Sequence, residues 1–184
     1  GGLVTCAQLM TSLLAPADAL GKTFCIMEHN EKQSKNDEAL LLKKNAEMGN
    51  ANLDLRRIYV LTGSVTASAS EAVINCLIPY LTRSNIMVIG EKTIGKRVGS
   101  NTFGTREEYD WLLHPITLRI YNANHEADYA SGFEPDVKIE ELVIGNDLLP
   151  FGDTNEMLLS EALSQISGLK SLSARAECKG RILL

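Results

Sequence analysis

A strand, a turn, a helix and a second strand follow one another between residues 57 and 89, and this order constrains the fold more than any other feature. Residues 57–62 (RIYVLT) form a short apolar run that is typical of a buried strand. Residues 86–89 predict another strand. Between them, from Ser68 onward, apolar residues recur with the spacing of one helical face, at Val73, Ile74, Leu77, Ile78 and Leu81. Such a unit connects parallel strands by a right-handed crossover, so the sequence predicts an α/β fold with βαβ units.

The remaining periodic segments predict elements on both sides of this unit. They are, in chain order, a helix over residues 3–14, a strand over 23–27 with a return strand over 40–42 beyond a charged loop at 29–38, a hairpin formed by 116–121 and 128–129, and a closing helix over 153–167. We expect Asp153 or Thr154 to cap the closing helix, because short polar side chains accept the free N–H groups of a first turn.

Composition limits the class of function. The chain has 184 residues, with 18 Lys+Arg against 23 Asp+Glu and a formal net charge of −5. This acidic balance argues against a nucleic-acid partner, whose phosphates need a basic surface. No apolar run approaches the roughly 20 residues that a membrane-spanning helix needs. The length suits one domain with one core.

Cysteines and histidines give no sign of a metal site. The four cysteines form no CxxC pair, and no two histidines are spaced at i, i+3 or i+4. We therefore expect free, buried thiols, and histidines that lie on the surface or in loops without forming a triad. No cofactor motif is present. The residues concerned are Cys6, Cys25, Cys76, Cys178, His29, His114 and His125.

The segment TASASE, residues 66–71, lies where the first strand of the unit ends and the helix begins. Ser68 and Glu71 have the spacing of a capping box, in which each side chain accepts a backbone N–H at the helix start. That structural role explains both residues, but it does not explain the small residues around them. A serine at a helix N-terminus also lies beside N–H groups that can stabilise an oxyanion, so a catalytic role stays open.

A second segment, GEKTIGK at residues 90–96, follows the second strand of the unit. It is not a phosphate-binding loop, because Arg97 stands where that loop needs serine or threonine and residues 98–104 lack the helical pattern that must follow. Lys96 is then either a surface lysine or part of a site. Because the carboxyl ends of parallel strands meet at one edge of a sheet, we expect the two segments to lie together.

Taken together, the two segments resemble the C-terminal processing peptidases, also called tail-specific proteases. These are serine endopeptidases with a Ser–Lys dyad on a ClpP/crotonase-like α/β core. Three further segments match in the same order: the initial Gly-Gly followed by a helix, GFEPDV at residues 132–137, and a closing helix that contains Glu161-Ala162-Leu163. The resemblance covers most of the chain and implies that residues 1–184 are a peptidase catalytic domain.

The resemblance assigns the reacting residues by position. Ser68 would be the nucleophile and Lys96 the general base, while Glu71 would assist the dyad. A lysine accepts a proton only in its neutral form, so we expect apolar neighbours such as Ile94 and Val98 to bury Lys96. Contact between an ionised Glu71 and the amine would oppose that, so we expect Glu71 to act through a neighbour, water or the helix cap.

The resemblance also assigns the supporting groups. The backbone N–H groups of Ala69 and of Gly2 or Gly1 would form the oxyanion hole. Many family members carry glutamine four residues after the lysine, where this sequence has Ser100. Ser100 is therefore the candidate for orienting the lysine.

The family places such a domain in a larger protein. A core strand directly precedes the Gly-Gly loop in the family, and a PDZ domain usually lies further upstream, so we expect this chain to be a catalytic domain truncated at its N-terminus. The resemblance implies a polypeptide substrate, no cofactor, and a place in the bacterial periplasm or cell envelope. The sheet edge left by the lost strand could pair with another chain and give an oligomer.

Two other functions use the same fold. A non-catalytic peptide-binding or scaffold domain would be marked by a degraded dyad, whereas Ser68 and Lys96 are both present here. A crotonase-type acyl-CoA enzyme uses two oxyanion N–H groups without a Ser–Lys pair, so binding of CoA would distinguish it.

Overall fold

The computed structural model describes residues 1–105, 107, 109–141 and 148–168. Its elements follow in the order α1 (Val4–Leu14), β1 (Thr23–His29), β2 (Glu38–Leu41), β3 (Ile58–Thr62), α2 (Ala69–Leu81), β4 (Ile86–Gly90), β5 (Val98–Ser100), β6 (Ile116–Tyr121), β7 (Val137–Lys138) and α3 (Met157–Ser167). This is the mixed α/β class that the sequence predicts. Across the described ranges, no helix combines the length and the apolar character that a bilayer span requires.

The predicted βαβ unit forms the first of two sheets. β3 and β4 pair in parallel, from Ile58 opposite Ile86 to Thr62 opposite Gly90, and α2 connects them. β7 pairs with the other side of β4, so the order of this sheet is β3–β4–β7. The carboxyl ends of β3 and β4 therefore lie side by side.

The second sheet is antiparallel, with the order β2–β1–β6–β5. The predicted hairpin between residues 116–121 and 128–129 is wrong, because β6 pairs with β1 and β5 instead. A turn at 122–126 does follow β6, since the Asn122 N–H donates to the Glu126 carbonyl oxygen and the Glu126 N–H donates to the Asn122 side-chain oxygen, each at 3.0 Å, but residues 128–129 belong to no strand. The carbonyl oxygen of Glu126 then accepts a hydrogen bond from the Asn75 side chain on α2, also at 3.0 Å.

The main core surrounds α2. Fully buried side chains from α2, β1 and β4 pack together, among them Phe24, Ile74, Leu77 and Ile86. Each such side chain contributes about 1.5–3 kcal/mol through its removal from water. The Tyr80 hydroxyl, near the end of α2, donates to the Thr23 carbonyl oxygen at 2.6 Å. These contacts fix α2, and so they fix the loop at its N-terminus.

The closing helix, α3, begins later than the sequence predicts. Its N-cap is Glu156, whose carboxylate accepts the N–H groups of Leu158 and Leu159 at 2.8 Å each. Asp153 and Thr154 lie one turn earlier, in a turn closed by the Glu156 N–H donating to the Asp153 carbonyl oxygen. A glutamate side chain is long enough to reach both N–H groups. The prediction was wrong because it considered only short polar residues as caps.

Three of the cysteines lie in the described residues, and all three are free thiols. Cys25 and Cys76 are buried as expected, whereas Cys6 is exposed; Cys178 lies outside the described residues. Burial, with a smaller contribution from the Glu38 charge, raises the pKa of Cys25 to about 12. Burial also raises the pKa of Cys76 well above its ordinary value.

Alkylation should therefore separate the thiols. Only the thiolate attacks iodoacetamide, and a pKa of about 12 leaves about one Cys25 in ten thousand ionised at pH 8. We expect the folded protein to be alkylated at Cys6 but not at Cys25 or Cys76, and the unfolded protein at all three. Peptide mass mapping reads the sites. Equal rates at Cys6 and Cys25 in the folded protein would contradict the burial described here.

Candidate functional site

The two predicted segments meet at one edge of the parallel sheet, as expected. The Ile94 N–H donates to the Thr66 carbonyl oxygen at 2.9 Å, and the Glu91 N–H donates to the Thr62 carbonyl oxygen at 2.8 Å. Gly90 permits this approach: its φ is +121°, and a Cβ there would collide with the Thr62 carbonyl oxygen. The loops after β3 and β4 are therefore held against each other by their backbones.

Ser68 occupies a strained turn between β3 and α2. Its φ of +60° and ψ of −121° are unfavourable for every residue except glycine. The conformation is held in part by its N–H, which donates to the Glu71 carboxylate at 2.9 Å. That bond is the glutamate half of the predicted capping box. A serine in a strained strand-to-helix turn has the placement typical of nucleophilic serines.

Glu71 is fully buried, and its carboxylate accepts four hydrogen bonds. Oε2 accepts the N–H groups of Ser68 and Lys96, at 2.9 and 2.8 Å. Oε1 accepts the Thr93 hydroxyl and the Gly95 N–H, both at 2.6 Å. All four partners donate, which suits an ionised carboxylate because that form only accepts. Glu71 thus holds Lys96 by its backbone, and in the part of the chain described here it forms no ion pair with the amine.

Lys96 is exposed, which corrects the expectation that its neighbours bury it. Ile94 is itself 56% exposed and Val98 is only half-buried, because this loop crosses the rim of an open cavity. The other lysine of the segment, Lys92, pairs with Glu134 at 2.5 Å. Within the described ranges Lys96 has no carboxylate partner, so its amine is available to the cavity.

One cavity of about 770 Å³ brings the predicted residues together. Ser68 and Lys96 both line it, and so do Gly1, Gly2 and Ser100. Gly1 lies close to the serine, since a Cβ on Gly1 would be 3.2 Å from the Ser68 Cβ. The candidate nucleophile, the candidate base and the glycines therefore surround one space.

Ala69 adds a backbone donor beside the serine. It is the first residue of α2, and the N–H groups of a first turn have no acceptor within the helix. Glu71 accepts the Ser68 N–H, whereas the N–H of Ala69, the next residue, donates to no acceptor in the described part of the chain. Together with Gly2 at the cavity wall, it is a donor of the kind that stabilises an oxyanion.

The loop that carries Lys96 is clamped from its other side by residues 130–133. Gly95 and Gly132 have φ of +89° and +84°, and a Cβ on either would collide with a backbone carbonyl of the opposite loop. The Phe133 N–H donates to the Thr93 hydroxyl at 2.8 Å, and this hydroxyl in turn donates to Glu71. The GFEPDV segment thus supports the site without lining the cavity.

Replacing Gly95 by alanine is expected to destabilise the protein by about 2–4 kcal/mol, through the positive φ and the collision with Ala130. Gly49→Ala is the matched control, because Gly49 has a φ of +63° but nothing within 4 Å of an added Cβ. It should cost only about 1–2 kcal/mol. Urea unfolding measures both variants, and equal losses would show that the contact between the loops is not tight.

His29 lies in the cavity wall, which differs from its expected position. We expected it on the surface or in a loop, but it ends β1 and its side chain is 8% exposed. It lines the same cavity as Ser68. The Asp37 carboxylate accepts the His29 backbone N–H at 2.7 Å and lies 3.3 Å from the ring Nδ1. The available signal was strand alternation: continuing β1 by two residues puts His29 on the face of Met27.

Comparison with known proteins shows the family to which the chain belongs. The model of Peptidase family S41 matches residues 1–139. A solved structure from Bacteroides fragilis, described as an S41 protease, is 36% identical with a TM-score of 0.83; the match covers 93% of this chain and 43% of that protein. None of the curated proteins matches the sequence.

Two more distant structures share the fold. The photosystem II D1 C-terminal processing protease is 19% identical with a TM-score of 0.54, over 88% of this chain and 37% of that protein. A lipoprotein from Streptococcus agalactiae is 17% identical with a TM-score of 0.54, over 91% of this chain and 50% of that protein. The chain thus spans half or less of the length of each of these three proteins.

Proposed function

Since the chain belongs to peptidase family S41, we propose that it is the catalytic part of a serine endopeptidase, with Ser68 as nucleophile and Lys96 as general base. The observation that carries this proposal is that both residues line one cavity. In addition, the carboxylate of Glu71 accepts the backbone N–H of each. One buried side chain therefore fixes both loops whose side chains would react.

In this mechanism the Ser68 Oγ attacks the carbonyl carbon of the peptide bond while its proton passes to the neutral Lys96 amine. The carbonyl oxygen becomes an oxyanion, stabilised by the N–H groups of Ala69 and of Gly2 or Gly1. When the intermediate collapses, the carbon–nitrogen bond breaks and the Lys96 ammonium gives its proton to the leaving amine. A water molecule, deprotonated by the same lysine, then attacks the acyl-enzyme ester; the bond from the acyl carbon to the Ser68 Oγ breaks, and this oxygen takes the proton back from the lysine.

The exposed position of Lys96 gives the substrate a role in preparing the base. A peptide lying in the cavity would exclude water from the amine, and loss of solvation favours the neutral form. Ser100 lines the cavity from the end of β5. It is our candidate for orienting the Lys96 amine, at the position where many relatives carry glutamine.

We extend the proposal to the longer protein that would contain this chain. The resemblance to C-terminal processing peptidases supports a tail-specific activity on polypeptides, a PDZ domain upstream, and a place in the bacterial periplasm or cell envelope. A lipoprotein among the structures of this fold is consistent with that location. An oligomer formed through a sheet edge belongs to the same proposal. The family membership favours a peptidase over an acyl-CoA enzyme of this fold.

A fluorophosphonate probe, which reacts with activated serines, tests the proposed dyad in the full-length protein. We expect labelling at Ser68, no labelling of Ser68→Ala, and labelling at least a hundredfold slower in Lys96→Met, because the serine would lack its base. Lys92→Met is the matched control, since Lys92 lies on the same loop but pairs with Glu134.

Circular dichroism of each variant separates loss of the base from loss of the fold. Wild-type labelling in Lys96→Met would remove the lysine from the mechanism. Absence of labelling and of peptide hydrolysis in the wild-type protein would favour the non-catalytic, peptide-binding alternative.

A further inference from the structure

The cavity wall formed by β1, β2 and β6 carries polar groups that the proposed mechanism does not use. His29 and Met27 lie two residues apart on β1, so their side chains share one face of the strand. Leu118 on β6 pairs with His29, and Glu38 on β2 pairs with Met27. All four residues line the cavity that holds Ser68.

Asp37 fixes the orientation of the His29 ring. Its Oδ1 accepts the His29 backbone N–H at 2.7 Å and lies 3.3 Å from the ring Nδ1. Because an ionised carboxylate can only accept, the ring proton belongs on Nδ1 in the neutral histidine. The other nitrogen, Nε2, then presents a lone pair.

Within residues 1–105, 107, 109–141 and 148–168, the acidic groups of this wall have no lysine or arginine partner. In the residues that the structure describes, Asp37 pairs only with His29, and Glu38 forms no ion pair. Lys32 and Lys35, on the short 3-10 helix between β1 and β2, do not line the cavity. The Glu38 carboxylate and the His29 lone pair therefore form an acceptor-rich wall, which is complementary to a positively charged donor.

We propose that His29 and Glu38 form a subsite for a lysine or arginine side chain of the peptide substrate, with Asp37 positioning the His29 ring. This subsite rests on the proposed peptidase function. The ammonium or guanidinium of the substrate would donate to His29 Nε2 and to the Glu38 carboxylate. Met27 and Leu118 would contact the methylene stem of the same side chain.

Peptide binding to the Ser68→Ala form of the full-length protein tests the subsite without turnover. The probes are otherwise identical peptides in which a single lysine or norleucine is moved along the sequence. We expect the lysine peptide to bind at least tenfold more tightly than the norleucine peptide at one position. His29→Phe and Asp37→Asn should each lower that ratio, and Glu38→Lys should bring it below one, because the new ammonium would repel the lysine of the peptide.

His125 provides the matched control for these variants. It also contacts a carboxylate, that of Glu28, but it is stacked on Tyr121, its side chain is 53% exposed, and it does not line the cavity. His125→Phe should leave the ratio unchanged. Because Asp37 acts through His29, its effect must appear in the lysine-to-norleucine ratio, which a general loss of stability would not change.

Equal affinity for the two peptides at every position would overturn the subsite. An unchanged ratio in both Glu38→Lys and His29→Phe would also overturn it. Hydrolysis by the Ser68→Ala protein at the wild-type rate would instead overturn the proposed function. The two failures are distinguishable because one is measured as binding and the other as turnover.

Discussion

Replacing Glu71 by alanine is expected to destabilise the protein by about 4 kcal/mol and to abolish the peptidase activity that we propose for the full-length protein. The substitution would leave the N–H groups of Ser68, Gly95 and Lys96 and the Thr93 hydroxyl without their acceptor. An unsatisfied buried donor costs about 1–3 kcal/mol, and water entering the vacated space would satisfy some of the four. Urea unfolding measures the first effect, and hydrolysis of a fluorogenic peptide measures the second.

Glu71→Gln is the finer version of this experiment, because it keeps the volume of the side chain. The amide nitrogen of glutamine can only donate, so in either orientation of the carboxamide this nitrogen would face groups that also donate. We expect a loss of stability of about 2–3 kcal/mol and a large loss of activity, because the loops of Ser68 and Lys96 would no longer share an acceptor.

Glu161→Gln is the matched control for that variant. Glu161 is also a buried glutamate, but it lies on α3, where its carboxylate accepts the Gln165 side chain at 2.7 Å. Its exchange should leave kcat/KM unchanged within about twofold. Full activity in Glu71→Gln would show that the carboxylate is not what aligns the two loops.

Replacing Ser68 by alanine is expected to lower kcat/KM by about 10⁴-fold or more, since removal of a nucleophile leaves only binding and oxyanion stabilisation. Its stability should stay close to that of the wild-type protein, because alanine is strained by the same φ of +60°. Ser70→Ala is the control: Ser70 is exposed and lies in the first turn of the same helix, two residues after Ser68. Activity that survives in Ser68→Ala would assign the nucleophile elsewhere.

Ser68→Gly tests whether the backbone at this position is strained. Glycine adopts a positive φ without a steric cost, so Ser68→Gly should be about 1 kcal/mol more stable than Ser68→Ala. Both variants should be inactive. A stability gain that accompanies the loss of function would identify the turn at Ser68 as strain retained for activity.

The meeting of the two loops could be predicted from sequence because it follows from periodicity alone. Apolar spacing sets β3, α2 and β4, and parallel pairing then places the residues after each strand at one edge. Ser68 and Lys96 are 28 positions apart in the chain, yet both line one cavity. The short spacing from Ser68 to Glu71 likewise predicts a contact at the helix start, which the structure contains.

The parts that sequence could not supply depend on packing between distant segments. The Thr93 hydroxyl and the Gly95 N–H reach Glu71 only after β4 has paired with β3. The residues next to Glu71 in the sequence therefore do not predict that its carboxylate accepts four hydrogen bonds. The exposure of Lys96 is set by the rim of the cavity and not by its apolar neighbours. The hydrogen bond from the His29 N–H to the Asp37 carboxylate, across the connection between β1 and β2, likewise has no signal in the sequence.

The distance from the Ser68 Oγ to the Lys96 Nζ, in a crystal structure of the full-length protein with a peptide-like inhibitor in the cavity, tests the central claim most directly. We expect the two atoms to lie about 2.6–3.2 Å apart, or to be bridged by one water molecule. An amine that points into solvent away from the serine, both with and without the inhibitor, would contradict the assignment of Lys96 as the base.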